Sequence, residues 1–160
     1  MGASTVKVLR FLLVLAATGL SACGNYSSSM PGANQTAVVT GTWNAVFAPG
    51  SMMPSTMLTI NFNQNGNSLT GTVTAVNNPS GSCFPAIAAT GTTFTVTGQV
   101  TSAASSNLNV SVGFVSGSSS GTIMGTGTLA YLSTSASGTF SFAAGASGCT
   151  SGSFTMTKIG

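Results

Sequence analysis

Apolar and polar residues alternate along the chain from Val38 onward, and this alternation restricts the fold more than any other sequence feature. Successive side chains of a β-strand point to opposite faces, so a period of two predicts strands with one buried face and one face in water. Thr, Val, Phe and Ile, which are favoured in strands, are abundant in these segments. No segment has a helical period. The sequence therefore predicts an all-β domain.

The clearest unit is a hairpin around the dipeptide Asn65-Gly66, which suits a two-residue type I′ turn. Such a turn fixes which residues of the two strands lie opposite each other. The pairs expected on the buried face are Phe62 with Leu69, Ile60 with Gly71, and Leu58 with Val73.

The other segments repeat the same alternation, and their inward positions are apolar or glycine. Eight strands joined mostly by short turns predict a small antiparallel up-and-down β-barrel, with a two-sheet β-sandwich as the alternative. Inward glycines relieve crowding where a closed sheet bends. The inward positions expected, strand by strand, are Val39, Gly41, Trp43, Ala45 and Phe47; Phe94, Val96, Gly98 and Val100; Leu108, Val110, Val112 and Phe114; Ile123, Gly125, Gly127, Leu129 and Tyr131; Gly138, Phe140 and Phe142; and Phe154 and Met156.

Charged side chains are nearly absent. The chain has Lys7, Arg10 and Lys158, and no Asp, Glu or His. A chain without a basic cluster lacks the electrostatic surface that binds phosphates, so nucleic acid is excluded as a partner. Disordered chains are poor in apolar residues. Here 42% of the residues are hydrophobic, which favours a folded domain.

The same composition argues against catalysis. General acid–base chemistry needs a titratable side chain, and besides Lys158 the candidates are Tyr26 and Tyr131. Metal sites need clusters of His, Cys or carboxylates, which the sequence does not contain. A serine–lysine dyad that uses Lys158 is the remaining conceivable nucleophile. We therefore expect no enzymatic activity, no metal and no cofactor.

Residues 1–22 have the organisation of an export signal. Lys7 and Arg10 precede an apolar run at 11–17, which is shorter than the roughly 20 residues that a membrane-spanning helix needs. The segment closes on Leu20-Ser21-Ala22-Cys23, which resembles the lipobox of bacterial lipoproteins. That resemblance implies cleavage before Cys23, diacylglycerol on its thiol and acylation of the new amino terminus. The alternative is an ordinary signal peptide followed by a plain cysteine.

The number of cysteines favours the lipid anchor. Three cysteines in an oxidising compartment leave one unpaired, whereas a thioether on Cys23 leaves Cys83 and Cys149 to form a disulfide. Two or three acyl chains hold a protein firmly on a membrane, which is therefore an expected partner. Gly24, where some lipoproteins have Asp, resembles the outer-membrane type. We expect a lipid-anchored protein of the bacterial cell envelope, at the outer membrane.

These signals divide the chain into a lipoprotein signal peptide (1–22), a lipidated flexible tether (23–36) and a β-barrel domain (37–160). The tether lacks any periodicity of apolar residues. At about 5–6 Å × √n for a flexible chain, it reaches about 20 Å from the bilayer surface.

Two segments carry a resemblance to a known fold family. Gly41-Thr42-Trp43 begins the first strand and Phe154–Ile159 ends the last, a combination similar to the calycin pattern of lipocalins and avidins. Residues 40–76, with Leu-Thr-Gly-Thr at 69–72, are more specifically similar to the first hairpins of avidin. The likeness covers about the first quarter of the domain and its last residues, and it implies a closed barrel.

The calycin resemblance also implies a role for the basic residue near the end of the chain. In that family it lies over the tryptophan of the first strand, so Lys158 would form a barrel-closing cation–π pair with Trp43. The alternative is a lysine that is simply solvated. Biotin binding does not carry over, because avidins use several tryptophans and a buried Asp, and Ala45 stands where they have a ligand-binding Asn.

In an eight-stranded meander, the loops after the odd-numbered strands share one end of the barrel. Met52, Met53 and Phe84 lie on these loops and are suited to contact an apolar ligand or a partner protein. The alternative, which we favour, is that they pack down and cap the barrel. The loops expected at this end, which also contain Cys83 and Cys149, are 48–55, 77–92, 116–121 and 144–152.

The sequence thus predicts an envelope lipoprotein whose non-catalytic barrel has a structural or protein-interaction role. The alternative function is binding of a small apolar molecule inside the barrel, as in calycins. A cavity would favour ligand binding, and a barrel filled by Phe94, Phe114, Phe140 and Phe142 would favour the structural role.

Stability should be nearly independent of pH in the acidic range. Acid denaturation works mostly by protonating carboxylates and histidines, and this chain has neither on its side chains. We expect the Tm, measured by circular dichroism, to change little between about pH 7 and about pH 3. A Tm that fell by tens of degrees over this range would contradict the expectation.

Overall fold

The computed structural model describes residues 37–50, 52–101, 106–130, 133–143 and 149–160. Eight antiparallel strands form one sheet in which each strand pairs with its sequence neighbours and the first strand pairs with the last. This confirms the predicted up-and-down barrel and excludes the sandwich. The strands are β1 (Gly41–Pro49), β2 (Thr56–Asn65), β3 (Ser68–Asn77), β4 (Thr93–Thr101), β5 (Asn107–Ser116), β6 (Ser119–Leu129), β7 (Ser135–Phe142) and β8 (Ser151–Lys158).

The interior of the barrel consists of the apolar side chains that the alternation assigns to it. On β1, for example, Trp43, Ala45 and Phe47 are buried while the residues between them are partly exposed. The same pattern holds on β5, with Leu108 and Phe114 at its two ends. Tyr131, predicted to face inward on the sixth strand, lies outside the described residues.

The hairpin between β2 and β3 differs from its predicted register. Asn65 pairs with Ser68, so the turn consists of Gly66 and Asn67. Gly66 has a φ of 59°, and a glycine with positive φ at the first central position is typical of a type II′ turn. The β3 residue opposite each β2 residue therefore lies two positions further along the chain than predicted. The buried face is unchanged, because the side-chain period of a strand is also two. The observed pairs include Phe62 with Gly71, Ile60 with Val73, and Gln64 with Leu69.

A β-bulge further separates this hairpin from the expected pairing. Ile60 pairs with Val73 but Thr59 pairs with Ala75, so Thr74 is an extra residue on β3. Beyond the bulge Leu58 lies opposite Val76 rather than the predicted Val73, because the shifted turn moves its partner by two residues and the bulge moves it by one more. A bulge increases the local twist and bends the strand, which helps a sheet of eight strands to close.

Glycines occupy inward positions where neighbouring strands approach too closely for a side chain. Gly127 on β6 lies directly opposite Gly138 on β7. A Cβ atom on Gly138 would collide with the backbone of Thr126 and Gly127, and one on Gly127 would collide with Ser137. This pair therefore permits a sharp bend of the wall between β6 and β7.

Replacing Gly138 by alanine should destabilise the barrel, because the atoms in the way belong to the backbone and cannot rotate aside. We expect Gly138→Ala to lower the free energy of unfolding by about 2–3 kcal/mol, measured by urea denaturation.

Gly113→Ala on β5 is the matched control for this substitution. Its nearest neighbour would be the Thr95 carbonyl oxygen at 3.7 Å, an ordinary contact distance, so the change should be below about 1 kcal/mol. Equal effects of the two substitutions would contradict the steric interpretation.

Candidate functional site

A disulfide between Cys83 and Cys149 lies at one end of the barrel, called here the disulfide end. The two Cα atoms are 5.4 Å apart and the residues are separated by 66 positions. Cys83 is in the segment between β3 and β4, and Cys149 precedes β8. Their pairing is the one expected from the sequence if Cys23 carries the lipid. Closing a loop of this length stabilises the folded chain by about 4 kcal/mol in the chain-entropy model.

The loops at the disulfide end match the predicted grouping with one exception. The segments 50–55, 78–92 and 143–150 connect strands there. The fourth connection, between β5 and β6, is a two-residue turn, since Ser116 pairs with Ser119. Its first residue, Gly117, has a φ of 58°, so this turn resembles the one at Gly66. The predicted loop 116–121 was therefore too long.

Met53 covers the disulfide. Its Sδ atom lies 3.3 Å from the Sγ atoms of both Cys83 and Cys149. These are contacts between sulfur atoms and not hydrogen bonds, because a disulfide carries no S–H donor. Met52, the preceding residue, is fully exposed and packs on nothing. Of the two methionines, only Met53 closes over the barrel.

Phe84 points into the barrel, where its side chain is only 1% exposed. Its ring contacts Phe140 and Phe142 with centroid distances of 5.9 and 4.9 Å. Ile87, in the following 3-10 turn Pro85–Ala88, is also buried. The segment between β3 and β4 therefore fills the mouth of the barrel with the side chains of Phe84 and Ile87.

Six phenylalanine rings form a connected cluster at this end, which we call the aromatic plug. Phe47 contacts Phe140 edge-on at 5.5 Å and Phe154 at 6.2 Å, and Phe114 stacks on Phe142 at 5.9 Å. Such arrangements of rings are favourable beyond the burial of their area. The members of the plug are Phe47, Phe84, Phe114, Phe140, Phe142 and Phe154.

Two polar residues that the sequence did not single out hold Phe84 in place. The Asn78 side chain donates from Nδ2 to the Phe84 carbonyl oxygen at 2.9 Å. Thr56, fully buried at the start of β2, donates its hydroxyl to the amide oxygen of Asn78. A buried polar group that lost such partners would be costly, so this chain of bonds fixes the segment. The signal in the sequence is weak, because Thr56 and Asn78 are 22 positions apart.

Trp43 and Lys158 lie at the other end of the barrel, directly opposite each other on β1 and β8. The Trp43 indole is fully buried and donates from Nε1 to the Val39 carbonyl oxygen at 2.7 Å. The lysine side chain passes over Gly41, where an added Cβ would be 2.9 Å from Lys158 Cε. Within the described residues, the two side chains make no cation–π contact; what joins them is the cross-strand pairing.

The outer wall consists mostly of Thr, Ser, Asn and Gln side chains, and Val115 and Met124 are its exposed apolar residues. Shallow open grooves cross it, one of them lined by Gln99, Asn109 and Thr126. These groups can donate and accept hydrogen bonds but carry no charge.

Five residues that the sequence analysis singled out lie outside the described residues: Lys7, Arg10, Cys23, Tyr26 and Tyr131. In the part of the chain that is described, no three His, Cys, Asp or Glu side chains come together as metal ligands. No helix of the described part has the length and apolarity to cross a membrane.

No family model, curated protein or solved structure matches this chain. Function is therefore inferred from the geometry of the barrel and from the sequence.

Truncating Phe84 should remove the centre of the aromatic plug. We expect Phe84→Ala to lower the free energy of unfolding by about 3–5 kcal/mol, because the loss of a buried ring leaves a cavity. Urea denaturation followed by circular dichroism measures this change. Met52→Ala, on the exposed neighbour of Met53, should change stability by no more than about 0.5 kcal/mol. If the two substitutions had the same effect, Phe84 would not be a packed element of the barrel.

Proposed function

We propose that this protein is a lipid-anchored lipoprotein of the bacterial cell envelope. Its barrel is non-catalytic and acts structurally or through contacts with other proteins. The observation that carries the proposed role of the barrel is the aromatic plug, in which Phe84 and its neighbours occupy the mouth of the barrel. The surface left for function is the outer wall and the exposed loops.

The aromatic plug favours this role over binding of a small apolar ligand. A ligand site of the usual kind is a concave space of about 300 Å³ or more that is lined by apolar side chains. Here Phe140 contacts both Phe47 and Phe84, so their rings extend across the interior at the disulfide end. Trp43 is fully buried toward the opposite end. Small barrels commonly fill with their own side chains in this way.

The absence of acid–base groups supports a non-catalytic role. The sequence has no carboxylate or imidazole side chain, and Lys158 lies over Gly41 at the end opposite to the loops. A serine near that lysine would have no further group to orient the pair, as nucleophilic sites require.

The likeness to calycins supports the architecture of this proposal but not a ligand. The likeness implies a closed eight-stranded meander, and Trp43 and Lys158 lie opposite each other on its closing strands, without, among the described residues, the cation–π contact that the likeness also implies. We infer a calycin-like barrel whose interior has been filled and whose function has moved to its outside.

The lipid anchor is supported by the cysteines as well as by the lipobox at 20–23. Cys83 and Cys149 pair with each other, which leaves Cys23 without a partner among the cysteines of the chain. A thioether to diacylglycerol would occupy that thiol.

Cys23→Ser tests the anchor. In a bacterial host, the unsubstituted protein should incorporate labelled palmitate and sediment with membranes, and the variant should do neither, because its hydroxyl cannot form the thioether. The matched control, Cys83→Ala with Cys149→Ala, should lose the disulfide but keep the palmitate label. An unlabelled parent protein, or a Cys23→Ser variant that stayed on the membrane, would contradict the proposal.

Native mass spectrometry of the purified lipidated protein tests whether the barrel is filled. The expected mass is that of the acylated chain alone. A stoichiometric small apolar molecule that survived purification and dissociated only on unfolding would favour the ligand-binding alternative instead.

A further inference from the structure

The end of the barrel opposite the disulfide, called here the tether end, is where the chain joins the barrel from the predicted anchor. The last residues of the sequence lie at this end as well. Thr42 donates its N–H to the Gly160 carbonyl oxygen at 2.8 Å, and Ile159 donates its own to the Thr42 carbonyl oxygen at 2.8 Å. The start of β1 and the end of β8 are therefore held side by side.

The segment that leads into β1 is fixed to the tether end by side-chain hydrogen bonds. Gln64 donates from Nε2 to the carbonyl oxygens of Ala37 and Gly66, both at 2.9 Å, and its Oε1 accepts the Val39 N–H at 2.7 Å. Trp43 donates from Nε1 to the Val39 carbonyl oxygen. A chain arriving from Cys23 therefore reaches the barrel at one defined position.

The tether end combines exposed aliphatic side chains with a charged one, whereas the outer wall, which also exposes Val115 and Met124, has no charged side chain among the described residues. Val38 and Ile159 are 61% and 55% exposed, although both are aliphatic. Lys158, next to Ile159, is the one charged side chain of the sequence after residue 22. Aliphatic side chains that enter the headgroup region and a lysine that reaches phosphates are the usual elements of a membrane-surface contact.

We propose that the tether end docks on the lipid surface that holds the anchor, through Val38, Ile159 and Lys158. This proposal rests on the lipid anchor proposed above. A tethered contact forms at a high effective concentration, so it needs less affinity of its own than a contact made by a free protein. Docking in this orientation turns the disulfide end, with the exposed Met52, away from the membrane and toward partners.

Tryptophan substitutions in the full lipidated protein test this orientation. Ile159→Trp and Val38→Trp place a fluorophore at the tether end, and Met52→Trp, also at an exposed apolar position, is the matched control at the disulfide end. The proteins are incorporated into vesicles of phosphatidylethanolamine and phosphatidylglycerol, with or without brominated acyl chains. Since Trp43 is buried in every variant, the unsubstituted protein supplies its background emission.

Brominated lipids should quench the added fluorescence of the two tether-end variants at least about twofold more than that of Met52→Trp. Adding Lys158→Gln to Ile159→Trp should reduce the quenching, and raised salt should do the same, because the charge contact is screened. Circular dichroism confirms that each variant is folded.

Flotation of the vesicles separates the two proposals. If the protein floats with the vesicles but all three positions are quenched equally, the docked orientation is wrong and the anchor stands. If the lipidated preparation does not float with the vesicles, the anchor is wrong and the docking proposal falls with it.

Discussion

The pairing of β1 with β8 is the interaction on which the rest of the structure depends. Seven residue pairs, from Trp43 with Lys158 to Pro49 with Gly152, close the sheet on itself. A closed sheet has no free edges, and it has one inside and one outside. Each side chain of a strand must then face one or the other. Closure therefore turns a simple alternation in the sequence into a packed interior and a polar wall.

The features of the two ends follow from what closure leaves open. The wall can be covered by uncharged hydroxyl and amide groups, but each end of a barrel exposes its interior to water. At one end the segment that carries Phe84 folds inward and the disulfide to Cys149 holds it there, under the Met53 thioether. At the other end Lys158 passes over Gly41, beside the segment that Gln64 fixes before β1. The two ends of the barrel therefore differ in chemistry: one is closed by aromatic rings and a disulfide, and the other carries a lysine.

The number of strands and their buried faces could be predicted from the sequence, whereas the register of the β2–β3 hairpin could not. Asn65-Gly66 and Gly66-Asn67 are both acceptable two-residue turns, and a shift of two residues keeps the same face buried, so alternation cannot distinguish them. The bulge at Thr74 leaves Val73 and Val76 as plausible inward residues in either case. The hydrogen bond from Thr56 to Asn78 joins two segments that are distant in the sequence, so no local sequence pattern predicts it. The disulfide between Cys83 and Cys149 was predictable because the lipobox assigns Cys23 to the predicted lipid anchor, which leaves two cysteines of the three to pair.

We propose that the inside of this barrel is filled by its own side chains and is closed to other molecules. Genuinely empty apolar cavities bind benzene, which makes benzene a direct probe of internal space. The measurement is an NMR titration that follows the methyl groups of the buried residues Ile60, Leu108 and Ile123. A filled barrel predicts no saturable shift of these methyl signals as benzene is added. Saturable shifts of several of these methyl signals, with the fold intact, would show an internal binding site, and the interior would then not be filled.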